Sequence, residues 1–487
     1  MGVEPAGVAI GVYLTVVLSI AWLTRGRVEE VQDFVLAGRQ LGVGVIAASL
    51  LATWIGAGTL LVAADEIRRV GLKAIALEPF GAGLSLFVGA IVARRIRRLD
   101  VATLPDLFRS LYGPRMEGLS SAVLIPGDLV WIAVQYLALG AIIELYLHVP
   151  MTLALPVVAG VGLLKNEIGG LYSATITDAL QIVLIVVGMV TIAGTSLLTL
   201  GGGSLLEGGL ALERLGGERL SPVPPLSEAL TWSSLLLASS LGNATDTALI
   251  QRISAARSSR AATLACLIAG TGYLLLGLTP VIVGLASGLL IPGVTEGVMP
   301  ALAKILFDPW WSAVFIVALV AAVLSTIESM MLSPSAILAR NIGSRMLGLA
   351  ETVRLHRISL ALIAASTLLL AFCGIRPYRL LTLSYESVLV TVMVPCLFGL
   401  WRPSSERVAL WTVALGGGTW VLFTVADEGF FWTRIPNALG ALGLSVVVYL
   451  GLDWLERRSS ACQSHSPAPR GPPSSDISQP AERPVSP

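Results

Sequence analysis

Six carboxylates stand inside long apolar stretches of this chain: Glu78, Asp128, Asp178, Asp246, Glu328 and Glu386. A carboxylate at the centre of a membrane helix costs about 2.5 to 3.5 kcal/mol, so an unpaired set must be protonated, hydrated in a cavity or facing cations. No lysine or arginine is expected at comparable depth, and the set therefore points to a cation path. The stretch Ala321 to Ser329 adds neutral oxygens, with the Ser325 and Thr326 hydroxyls one turn from the carbonyls of Ala322 and Leu324. Such hard oxygens suit an alkali cation, by the logic that sends calcium and magnesium to oxygen ligands. The same hydroxyls could instead bond within their own helix or to a neighbour.

The elements that must position these groups are membrane helices. The chain has 487 residues, 55% hydrophobic and 13% charged, with a mean hydropathy of +0.82; an average soluble domain is about 25% charged. This composition excludes an ordinary soluble enzyme. A net charge of +1 without a long basic block argues against a nucleic-acid partner. Cys266, Cys373, Cys396 and Cys462 have neither CxxC nor Cys/His metal spacing and read as small packed hydrophobes.

Hydropathy predicts thirteen spans, near 6–24, 41–64, 75–95, 118–147, 151–165, 171–199, 231–251, 261–289, 311–339, 355–374, 380–400, 408–425 and 436–455. Glu4 stands where a signal peptide would be basic, and Arg25 and Arg27 follow the apolar run, so the first span reads as a retained helix. Starting outside and alternating thirteen times places 23 Lys/Arg in cytoplasmic segments and 9 outside, as the positive-inside rule requires. The expected location is the cell membrane, multi-pass, with the N-terminus outside and the C-terminus cytoplasmic. Eight serines and seven prolines in the last 29 residues make 457–487 an expected disordered tail.

Two spans are interrupted at equivalent places. The second contains Trp54-Ile55-Gly56-Ala57-Gly58-Thr59, and the seventh contains Ser239-Ser240-Leu241-Gly242-Asn243-Ala244-Thr245-Asp246. Each glycine costs a helix about 1 kcal/mol relative to alanine, and carbonyls freed in lipid must be satisfied by protein, water or an ion. Glycines also permit close helix packing. Paired interruptions five helices apart nevertheless mark an inverted-repeat secondary transporter with its site at the midplane.

These stretches together resemble the sodium:solute symporter family, which contains the bacterial sodium/proline and sodium/sugar symporters. The motifs are Asp33-Phe34-Val35-Leu36-Ala37-Gly38-Arg39, Ala52-Thr53-Trp54-Ile55-Gly56-Ala57-Gly58, Gly169-Gly170-Leu171 with Thr177-Asp178-Ala179-Leu180-Gln181, Gln251-Arg252 with Ala255-Ala256-Arg257, and Leu324-Ser325-Thr326-Ile327-Glu328-Ser329 with Ala339-Arg340-Asn341-Ile342. They run in consistent order over about residues 8 to 450. The resemblance implies an all-α polytopic membrane protein with a five-plus-five, leucine-transporter-like core. Its parts would be a leading helix and link (1–36), a first repeat (37–200), an extracellular loop (201–230), a second repeat (231–400), two further helices (401–456) and the tail (457–487). It further implies a sodium site from the carbonyls of Ala52, Ile55 and Ala322 and the hydroxyls of Ser325 and Thr326.

Asp178 matches the family's acid on the fifth core helix, a second cation position or relay, and Glu328 stands where many members have aspartate. The solute would lie near Trp54, Gly56, Thr59, Glu78, Gln135, Ser239, Gly242 and Asn243. Glu78 matches an acid of a sugar-transporting member, whereas Trp54, Thr59 and Gly242 depart from its sugar contacts. The acid excess favours a solute with a positive centre, such as an amino acid, a betaine or an amine, and Trp54 could face a quaternary ammonium.

The function expected is sodium-coupled symport of a small organic solute by alternating access. Sodium is the coupling ion, no organic cofactor is implied, and the partners are the solute and the bilayer. The closest alternative is a proton-coupled symporter using Asp178 or Glu328. A membrane sensor lacks a signalling domain after the last span, and an intramembrane enzyme lacks mid-membrane histidine, since His148 and His356 fall at helix ends.

Overall fold

The computed structural model describes residues 5–426 and 435–464. Helices account for almost all of the ordered backbone: α1 (Pro5–Thr24), α2 (Val43–Trp54 and Gly58–Val70), α3 (Phe80–Arg98), α4 (Pro114–Leu147), then Met151–Leu200, α7 (Ala229–Leu237 and Thr247–Ala255), α8 (Ser259–Leu290), α9 (Pro309–Met346), α10 (Val353–Ala371), α11 (Pro377–Trp401), α12 (Glu406–Val425) and α13 (Asn437–Ser464). Among the described residues, ten helices are long and apolar enough to cross a membrane, or eleven when the bent pair of α2 counts as one.

The count differs from thirteen for two physical reasons. Met151–Leu200 forms 50 residues of helix, about 75 Å at 1.5 Å per residue, more than twice a bilayer core. Gly170 interrupts it with φ 53° and ψ −151°, and Lys165 Nζ donates to Thr177 Oγ1 at 2.5 Å although twelve residues separate them. The chain therefore doubles back at Gly169-Gly170, and residues 151–169 (α5) and 171–200 (α6) form two arms. The other reason is α7, whose break leaves neither half long enough to span alone.

Helix starts follow the local chemistry. Ser258, Thr352 and Ser405 cap α8, α10 and α12 with their hydroxyls, and Asp308 caps α9 with Pro309 in the first turn. Helix α9 lies at the centre, with 94% of its most apolar window buried, whereas α1 is peripheral at 28%. Apolar side chains such as Val183, Leu362 and Val447 face outward, as lipid contact requires. The helix of α13 continues to Ser464, into the segment read as tail; residues 465–487 lie outside the described residues.

Candidate functional site

The break in α2 begins at Ile55, where φ −82° and ψ 74° turn the carbonyl out of the helix axis. Gly56 N–H bonds back to Trp54 O at 3.0 Å, so the Ala52 carbonyl loses its helical donor. Neutral side chains replace part of the lost ladder. Thr326 Oγ1 donates to Thr53 O at 2.9 Å, Gln135 Oε1 accepts from Ala57 N–H at 2.8 Å, and Thr59 Oγ1 lies 3.1 Å from Trp54 O. A methyl group on Gly56 would stand 2.6 Å from Thr326 Oγ1 and 2.8 Å from Gln135 Oε1, so only glycine lets α9 and α4 approach this closely.

The five oxygens expected to hold sodium come from these two segments. Ser325 Oγ donates to Asp178 Oδ1 at 2.5 Å, and Thr326 Oγ1 is also 3.1 Å from Ala322 O. The set is neutral and hard, which fits an alkali cation. Asp178 stands beside it, accepting from Ser49 Oγ at 2.5 Å, while Arg252 Nε donates to Ser49 at 2.9 Å. One buried cluster thus connects α2, α6, α7 and α9.

The break in α7 is chemically different. Asp246 is extended (ψ 139°), and its Oδ1 accepts from Ala248 and Leu249 N–H at 2.8 and 3.0 Å, capping the second half. Asn243 and Asp246 then line a cavity with Thr53, Trp54, Trp131, Met330 and Tyr385. Its free volume is about 10 Å³, enough for about one water. Trp131 and Tyr385 meet edge to face with centroids 6.3 Å apart, and Trp54 Nε1 is held by Ser85 Oγ at 3.1 Å. Three aromatic rings and one carboxylate therefore share this space.

Of the eight residues expected near the solute, only Trp54 and Asn243 line the cavity. Gly56 and Gln135 shape the α2 break instead. Thr59 and Glu78 belong to a neighbouring cluster: Glu78 accepts from Tyr273 at 2.5 Å and Tyr385 at 2.7 Å, and the Thr59 and Tyr273 hydroxyls are 2.5 Å apart. Ser239 donates to Leu77 O at 2.6 Å, and Gly242 abuts the Tyr385 backbone. Sequence reasoning missed Thr53, Trp131, Asp246, Met330 and Tyr385 as lining residues. The signal for the aromatics was faint: a tryptophan and a tyrosine amid ordinary apolar spans.

Two expectations about charge fail. Lys165 and Arg252 are fully buried rather than in loops. Lys165 pairs with Glu328, whose carbonyl also accepts from Asn166 Nδ2 at 2.8 Å, and Arg252 lies 3.8 Å from Asp178. A short fifth span placed Lys165 in a cytoplasmic loop; the helix instead runs on to the turn at Gly170, and the lysine is buried within the protein. The acid excess is thus smaller than the sequence suggests. Of the other acids, Asp128 accepts from Thr247 at 2.9 Å and Glu386 from Trp420 at 3.0 Å.

Comparison with known proteins places this geometry. The human high affinity choline transporter 1 is 28% identical over 414 residues, 79% of this chain and 70% of the transporter, and that of Caenorhabditis elegans is 23% identical over 397 residues, 77% and 65%. The chain thus spans about two thirds of these relatives' length. An uncharacterized symporter of Escherichia coli is 23% identical over 468 residues, 92% of this chain and 78% of that one. Among solved structures, a sodium-coupled sialic acid symporter in a substrate-bound, outward-open state superposes with a TM-score of 0.79 at 13% identity, covering 92% of this chain and 98% of its own. A nucleobase-cation-symport-1 family transporter, in a closed conformation, gives 0.61 at 17% identity, with 88% and 95% covered. These are transporters, and they share the leucine-transporter-like fold. The family model of the sodium:solute symporters matches residues 34–416, and the chain belongs to that family.

Proposed function

We propose that this protein carries a small quaternary ammonium solute of the choline class across the membrane, driven by sodium. The observation that carries the proposal is the lining of the central cavity, where Trp54, Trp131 and Tyr385 surround a space that also meets the Asp246 carboxylate. A quaternary ammonium has no proton to donate, so its recognition rests on aromatic faces, worth about 0.5 to 2 kcal/mol each, and on a nearby negative charge. Of the amino acid, betaine or amine favoured by sequence, the choline transporters among the relatives support the cation without a carboxylate, since a carboxylate-bearing solute would meet Asp246 unfavourably.

Coupling follows from shared backbone. Thr53 and Trp54 face the solute cavity, and Ala52 and Ile55 flank them on the same turn. Sodium held by Ala52, Ile55, Ala322, Ser325 and Thr326 fixes that turn in the form that presents Trp54, and the solute in turn favours the sodium-holding form. Alternating access requires the halves of α2 and α7 to part, because the cavity is smaller than the solute in this closed arrangement. The core repeats are residues 37–200 and 231–400. With Lys165 and Arg252 inside the membrane, 21 basic residues remain on the proposed cytoplasmic side against 9 outside, which keeps the N-terminus outside.

The test is uptake into proteoliposomes of labelled choline, glycine betaine, proline and galactose, under an inward sodium gradient or an inward proton gradient. Sodium-driven choline uptake is expected. Uptake driven by protons alone would shift coupling to Asp178 or Glu328.

A further inference from the structure

We propose that Lys165 is a tethered cation that takes the place of a second sodium beside the five-oxygen site, so that the protein moves one sodium per solute. The proposal rests on the sodium-coupled reading above. Lys165 is the only fully buried lysine among the described residues. Its ammonium contacts the Glu328 carboxylate and donates to Thr177 Oγ1 at 2.5 Å. Thr177 precedes Asp178, and Glu328 lies two residues beyond Thr326. The ammonium is therefore wedged between α5, α6 and α9, and its Glu328 partner follows the hydroxyls assigned to sodium by two and three residues on α9.

Charge accounting gives this position its meaning. Asp178 and Glu328 bring two negative charges to the cluster, and Arg252 and Lys165 bring two positive ones. A buried cation needs an uncompensated anion or a full set of neutral oxygens. The neutral set of α2 and α9 provides for one sodium, and between Asp178 and Glu328 no anion remains for another; Asp246, which also faces Arg252, lines the cavity between α2 and α7. An ammonium and a sodium ion carry the same charge and both take oxygen partners, so the lysine does by covalent attachment what an ion would do by binding. Three buried acceptors on Glu328 and on the chain neighbours of Glu328 and Lys165 lack any hydrogen-bond partner: Glu328 Oε1, Ser329 Oγ and Asn166 Oδ1. Removing the ammonium would leave Glu328 unpaired among spare oxygens, an environment suited to a sodium ion.

The experiment measures choline accumulation at equilibrium in proteoliposomes clamped at zero potential. A tenfold sodium gradient accumulates choline about tenfold for one coupled sodium and about a hundredfold for two. The wild type is expected near tenfold, Lys165→Met near a hundredfold with sodium dependence that becomes sigmoidal, and Lys165→Met with Glu328→Gln near tenfold again. A hundredfold accumulation by the wild type overturns the proposal even if the variants fail to fold. So does a Lys165→Met protein that folds, transports and keeps the tenfold ratio, for the lysine would then be a strut. Choline accumulation that ignores the sodium gradient in the wild type would overturn the sodium-coupled reading itself, and this proposal with it.

Discussion

The two broken helices solve the same problem with opposite chemistry. At the α2 break, neutral groups from Thr326 and Gln135 close part of the backbone ladder, and carbonyl oxygens are left turned into the protein. At the α7 break, a charged side chain, Asp246, closes the ladder from the amide side and keeps its carboxylate on the cavity. A neutral cage of oxygens suits a small ion that sheds its water, whereas a fixed charge beside aromatic rings suits an organic cation too large to be ligated. Under the proposed function, this difference puts the ion at α2 and α9 and the solute in the space between α2 and α7.

The sharpest way to break this comparison is to neutralise the α7 break while keeping its cap. Asparagine caps helices as well as aspartate, so Asp246→Asn should fold; we expect its apparent choline affinity to fall about a hundredfold, as loss of one close charge partner implies. Inhibition by the uncharged isostere 3,3-dimethylbutanol should not change. Equal loss for both ligands in competition assays would remove Asp246 from charge recognition. Crowding the α2 break comes next. Gly56→Ala puts a methyl 2.6 Å from Thr326 Oγ1, and sodium-driven uptake should drop at least about tenfold, with the sodium half-saturation raised more than that for choline.

Sodium titrations of Ser325→Ala and Thr326→Ala should show apparent affinity about tenfold weaker, the loss of one oxygen ligand, with protein yield little changed. Unchanged titrations in both would move the ion elsewhere. Trp131→Leu should weaken choline by about three- to thirtyfold without altering sodium affinity in the absence of solute, the range of one cation–π face.

The smallest expected effect lies outside the spans and serves as a control. His356 Nε2 lies 3.5 Å from Glu351 Oε1, and Arg340 NH1 reaches both Glu351 oxygens at 2.8 and 2.9 Å; the adjacent His356 ring and the Arg340 charge hold this carboxyl down at about 2. A lowered carboxylate pKa adds stability that is complete above the unfolded value of about 4.3 and is lost as pH falls toward the folded value. Glu351→Gln should therefore lower the melting temperature slightly at pH 7, and the gap should narrow below pH 4. A gap constant from pH 7 to pH 3 would mean that the ion pair contributes nothing.

Much of the architecture was legible because a bilayer leaves few choices: apolar runs of span length mark helices, and glycines at 56, 58 and 242 mark places where a ladder fails. The oxygen set proposed for sodium was suggested by the Ser325-Thr326 dyad and its family motif. The cavity between α2 and α7 was not suggested by any motif. Trp131 and Tyr385 reach it through the packing of α4 and α11, which no local pattern announces, and Glu78 binds two tyrosine hydroxyls that hydropathy counts as apolar. Lys165 was misplaced for a related reason, since the turn at Gly170 depends on a φ of 53° that the Gly-Gly pair permits without requiring.

The most direct test of coupling through the shared α2 turn is equilibrium choline binding to purified protein, with and without saturating sodium, together with the converse titration of sodium with and without choline. Sodium should tighten choline at least about tenfold, and choline should tighten sodium by the same factor, as linkage demands. Choline binding of equal strength in sodium and in a sodium-free medium would contradict this coupling.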